Sequence, residues 1–157
     1  MQAIRQEVDR VLSELGAAVG TPLRLNAEGL IALEFADDIT CTIEVPDGAN
    51  RIFMHALVDR VPREGREAML TRMLKRNLFE IAVPGAWLAL DSDGEHILLC
   101  CSAPTQPADL DSLPDTLLAL VTEAGELRRL LLKHDDSGAD TGQDRPAFDA
   151  STLFFRG

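Results

Sequence analysis

From Gln2 to Val19 the apolar residues Ile4, Val8, Val11, Leu12, Leu15 and Val19 return at helical intervals, leaving one greasy stripe on an otherwise polar rod. Gly16, Gly20 and Pro22 mark its end. The period then drops to two. Leu23 and Leu25 lead into a turn at Asn26–Gly29, after which Ile31, Leu33 and Phe35 share one face of a strand. Beyond the break at Asp37 and Asp38, Ile39, Cys41, Ile43 and Val45 share a face, with Thr40, Thr42 and Glu44 opposite. Pro46-Asp47-Gly48 predicts another turn, and Arg51 to Val58 a strand that is apolar on both sides. Both sides of such a strand must meet something dry, or one is a contact surface.

Pro62 opens a second helix, about Arg63 to Phe79, with Leu70, Leu74 and Leu78 in one row and Met69 and Met73 in the next. Its apolar surface is wider than a single sheet-facing stripe requires. Pro84-Gly85 breaks the chain, and Trp87–Asp91 and His96–Ala103 form a hairpin. A third helix, about Leu110 to Lys133, carries Leu113, Leu117, Leu120, Val121, Ala124, Leu127 and Leu131 in register. Acidic residues Asp109, Asp111 and Asp115 sit at its start and basic Arg128, Arg129 and Lys133 at its end, matching the helix dipole. The expected class is α+β, an antiparallel sheet with three helices in the order α-β(3–4)-α-β(2)-α. Residues 1–133 form the folded domain and residues 134–157 a flexible acidic tail, interrupted by the apolar knot Leu153-Phe154-Phe155. LRLNAEG (23–29) and LALDSDG (88–94) echo each other as two strands entering similar turns, not as a duplicated domain.

Charge narrows the possible partners. The chain carries 26 acidic and 15 basic side chains, a net charge of −11. Removing His134–Gly157 still leaves 21 against 13, so the acidity belongs to the body too. Such a surface repels phosphate backbones and anionic lipid, which argues against nucleic-acid or membrane binding. No apolar run approaches the roughly 20 residues of a membrane helix, and the charged start is unlike a secretory signal. Three cysteines, two of them adjacent, make no disulfide framework, and a reducing cytoplasm is the simplest home.

Chemistry is harder to find. The nucleotide-binding patterns GxxxxGK and GxGxxG do not occur. His96 and Cys100 lie four apart on a strand, roughly 13 Å, too far for one zinc ion whose bonds are about 2.0–2.3 Å. Cys100 and Cys101 point to opposite strand faces among apolar neighbours, which favours passive packing over redox work. Asp37 and Asp38 are explained by a hairpin tip, and Arg60, Arg63, Arg66, Arg72, Lys75 and Arg76 by a solvated helix face without interleaved aromatics. No catalytic residue, metal ligand or cofactor site emerges, which points to a binding protein.

The landmarks Leu15–Pro22, LRLNAEG (23–29), the strand pair up to Val45, Asn77–Glu80 and Gly85–Asp91 fall in an order that resembles the type III secretion chaperones of the Tir-chaperone (CesT-like) family, over about Ile4 to Lys133. The resemblance implies an ATP-independent homodimer in the bacterial cytoplasm, holding an effector's amino-terminal segment ready for secretion; a secretion ATPase is a further implied partner. It places the dimer interface on the second helix and nearby strands, at Met69, Met73, Phe53 and Trp87. An extended client adding to a strand edge would find an apolar lining along the first helix and the 23–36 hairpin: Leu15, Leu23, Leu25, Leu30 and Ala32. A regulatory or sensory protein-binding domain of the same fold is the competing reading; a small enzyme or redox protein using Cys101 ranks third.

Overall fold

In the computed structural model the described residues are 2–48, 50–106 and 110–132. Helix α1 spans Gln2–Val19, as its stripe predicts. Strands β1 (Leu30–Phe35) and β2 (Ile39–Glu44) are joined by a tight 3-10 turn, Ala36–Asp38, and β3 spans Arg51–Arg60. Helix α2 (Arg66–Arg76) leads to the hairpin β4 (Trp87–Leu90) and β5 (His96–Pro104), and α3 (Leu113–Leu132) follows. The proposed tail, 134–157, lies outside the described residues.

The five strands form one antiparallel sheet in the order β1-β2-β3-β5-β4. This is the expected α+β class and element order, with one difference at the start. Leu23 and Leu25 are not in a strand; residues 21–25 are laid along α1 instead. The cause is local. Gly16 lets the chain return so closely that a Cβ there would sit 2.4 Å from the Thr21 carbonyl oxygen, and Asp9 Oδ1 accepts the Leu25 N–H at 2.8 Å.

Pairing splits the apolar residues of β3 between the two faces of the sheet. Ile52, Met54, Ala56 and Val58 join Leu33, Cys41, Ile43, Leu99 and Cys101 in the core. Helix α3 lies across this face over β2, β3 and β5, with α1 resting on α3 and α2 flanking β4. The opposite face carries Phe53, His55, Leu57, Leu98, Cys100 and Trp87, all half-buried or exposed. Covering only one face leaves a mixed apolar surface on the other.

Candidate functional site

Strand β1 is an outer strand, and its hydrogen-bond register shows what it offers. The Val45 N–H donates to the Gly29 carbonyl, so Gly29, and by alternation Ile31, Leu33 and Phe35, spend their backbone groups on β2. Leu30 points the other way, where Asn26 takes both its groups: the Asn26 N–H donates to the Leu30 carbonyl, and the Leu30 N–H donates to Asn26 Oδ1. Ala32 and Glu34 also point outward, and among the described residues no strand pairs with them. Two N–H and two C=O groups therefore face away from the sheet, ready for an added strand.

Two arginines fasten this edge at its ends. Arg5 of α1 donates to the carbonyls of Ala27, Glu28 and Val45 and pairs with Asp47 at 3.1 Å. Room for its guanidinium exists because residue 29 is glycine: a Cβ there would lie 2.6 Å from both Arg5 Nη2 and the Val45 oxygen, at φ +84. At the far end, Arg128 of α3 donates to the carbonyls of Asp37, Asp38, Leu57 and Val58. Asp37 and Asp38 both sit at positive φ, +60 and +54, a region aspartate tolerates better than most side chains. Register irregularity between Leu57 and Asp59 brings the β3 carbonyls to the same guanidinium.

Of the residues expected to line the client groove, Leu15, Leu25 and Leu30 are half-buried and Ala32 is exposed, whereas Leu23 is 5% exposed and belongs to the core. The expected dimer residues separate more sharply. Met69 and Met73 are buried inside the protomer and form the inner row of α2, with Leu70 on its flank. The outward surface is carried by Leu74 (71% exposed), Leu78 (67%) and Phe79 (96%). The two apolar rows are thus reversed relative to the expectation that the methionines face a partner. Phe53 (37%) and Trp87 (39%) do lie on the open sheet face.

At the opposite edge the Asn77 side chain accepts the Leu88 N–H at 2.7 Å and donates to the Leu88 carbonyl at 3.2 Å, doing for β4 what a neighbouring strand would do. In the β4–β5 turn, Asp91 Oδ2 meets His96 Nδ1 at 2.6 Å while Asp91 Oδ1 accepts the Glu95 and His96 N–H groups. These hydrogen bonds, led by that to His96, hold the Asp91 carboxyl below its ordinary pKa, and the arrangement closes a turn. Burial pushes Cys41 up and Cys100 and Cys101 up to about 11, so all three are weakly nucleophilic thiols at neutral pH. Among the described residues no cluster of His, Cys, Asp or Glu could hold a metal ion, and no helix is long and apolar enough to cross a membrane.

Among the described residues, three helices and a five-stranded antiparallel sheet in this order, with one outer strand open, define an α+β fold shared with the solved structures below. The chain belongs to the Tir chaperone protein (CesT) family, whose model matches residues 10–128. It is similar to a chain of the ExsC–ExsE complex, at 24% identity and a TM-score of 0.67, covering 81% of this chain and 95% of that one. A chain of the HopA1–SchA chaperone–effector complex matches at 15% identity and a TM-score of 0.62, covering 80% and 95%. One from the ExoU–SpcU complex of the Pseudomonas aeruginosa type III secretion system matches at 20% and 0.58, covering 80% and 97%. No curated protein matches the chain.

Proposed function

We propose that this protein is a type III secretion chaperone. It binds the extended amino-terminal segment of an effector without ATP, and keeps that segment soluble and fit for secretion in the bacterial cytoplasm. The observation that carries the reading, beside family membership, is the open edge of β1 at Ala32 and Glu34, fastened by Arg5 and Arg128. Magnitudes decide how such an edge works. Four backbone hydrogen bonds at about 1 kcal/mol net each do no more than offset an association cost of about 4–15 kcal/mol. The edge therefore sets direction and register. Affinity comes from apolar side chains of the client, each worth about 1.5–3 kcal/mol when fully buried, against Leu15, Leu25, Leu30 and neighbouring surface.

Several such pockets are needed, and a homodimer doubles them. The dimer surface that suits the geometry combines the outer row of α2, Leu74, Leu78 and Phe79, with Trp87 and Phe53 on the open face. Met69 and Met73 support it from behind. The high negative charge keeps a loaded, partly unfolded client dispersed, and no step calls for catalysis.

Co-expression of the tagged chain with candidate effectors tests the reading. One effector is retained through its amino-terminal segment, and Ala32→Pro releases it. That proline removes an outward N–H without touching the β1–β2 ladder. Capture of a folded partner in place of an extended one, insensitive to Ala32→Pro, would sink the proposal. Mass measurement at micromolar concentration checks the dimer: the wild type is a dimer and Leu74→Glu a monomer, while a wild-type monomer defeats the interface.

A further inference from the structure

The open edge of β1 lies close to the end of α3. Arg128 Nη1 donates to the Asp37 carbonyl at 2.6 Å, and Arg129 Nη2 lies 3.5 Å from Asp37 Oδ2, both only two residues beyond the end of β1. Leu132, the last residue of α3, follows Arg128 by about one helical turn, roughly 6 Å. Ala32 lies three residues back along β1 from Phe35, about 10 Å. From Lys133 the sequence runs through eighteen residues rich in Asp, Gly and Ala before Ser151-Thr152-Leu153-Phe154-Phe155. Eighteen residues can span at most about 60 Å, more than enough to bring that segment back to the edge.

Ser151–Phe155 is also the part of this segment with the strongest β-forming character, two aromatic residues beside Leu and Thr. Unprotected outer strands invite uncontrolled pairing between molecules, and proteins cover them where they can. We propose that Ser151–Phe155 of the same chain docks on the free edge of β1. There it bonds to the outward groups of Ala32 and Glu34 as a placeholder for an incoming client. Five aspartates in His134–Gly157, set against an acidic body, keep this contact weak, so that a client with several apolar side chains displaces it. The inference shares with the proposed function only the seat on β1; its test uses no effector, so the two stand or fall separately.

Amide hydrogen exchange on the full chain is the direct test. With an effective concentration in the millimolar range, docking slows exchange of the Ala32 and Glu34 amides by about tenfold. Phe154→Ser with Phe155→Ser abolishes that protection, and leaves the Ile31 and Leu33 amides, which bond to β2, unchanged. A fluorescent peptide of sequence ASTLFFR binds the double variant more tightly than the wild type, and Ala32→Pro in the double variant abolishes that binding. Equal exchange at Ala32 and Glu34 in wild type and double variant overturns the proposal. So does protection that survives the double substitution and grows with protein concentration, which assigns the edge to a second copy. Peptide binding indifferent to Ala32→Pro overturns it as well.

Discussion

The two outer strands of this sheet meet water on different terms. On β4 the outward N–H and C=O of Leu88 are both taken by the side-chain amide of Asn77, at the end of α2. On β1 the equivalent groups of Ala32 and Glu34 point outward with no strand of the described residues beside them, although two arginines hold both ends of that strand. One edge is closed at Leu88 by a single side chain, which leaves Leu90 as the other outward-facing residue of its short strand. The other is fastened at both ends and, among the described residues, left open. Rigidity and vacancy together are what a docking strand needs, because a floppy edge would lose much of its binding energy to ordering.

Removing the fastening from the open edge has the largest expected effect. Arg128→Ala strips donors from four carbonyls and costs about 3 kcal/mol of unfolding free energy, read by denaturant titration. Amide exchange in β1 rises more than in β5, the reverse of what a general loss of packing gives. Next comes the sealed edge. Asn77→Ala leaves the Leu88 groups without partners, costs about 2 kcal/mol, and gives the sheet a second sticky border. Sedimentation then shows self-association that grows with concentration. If Asn77→Ala changes neither stability nor association, the contrast between the edges is broken.

Between the edges, on the open face of β3, the expected effect is smallest. Burial lowers the pKa of His55 below the ordinary histidine value, and the nearby charge of Glu44 opposes this. The unfolded chain therefore binds the proton more readily than the folded one. The stabilisation is present above the unfolded-state pKa and is lost as pH falls through the folded value, starting near pH 6.5. Between about pH 7.5 and pH 5.5 the wild type loses more thermal stability than His55→Gln. An equal loss in both would show that this face is wetter than its burial implies.

Much of the architecture is legible in the amino-acid order because periodicity reports which side of an element is dry. The bounds of α1, the shared face of Ile31, Leu33 and Phe35, and the hairpin around Asp91–His96 follow from it directly. On α2 the same signal cannot say which of two adjacent apolar rows turns inward. Met69 and Met73 do so because α2 packs beside β4, a tertiary fact with no local trace. The ends of α2 are three residues inside the expected ones, and the chain turns away through Phe79 at φ +68, a conformation that its residue type does not advertise. Asn77, Arg5 and Arg128 act through long-range contacts with backbone carbonyls and amides. A charged residue flanking an inner row, as Arg128 does beside Leu127, is the faint signal that could have marked one of them.

The grip of Arg128 on the turn after β1 crosses 91 positions of the sequence, to Asp37. During synthesis the first two strands leave the ribosome long before the helix that finishes their border. A growing chain accordingly carries no completed berth for a guest until α3 has been made. An edge whose far turn is still unfastened is a poorer template for any added strand, because ordering it costs binding energy.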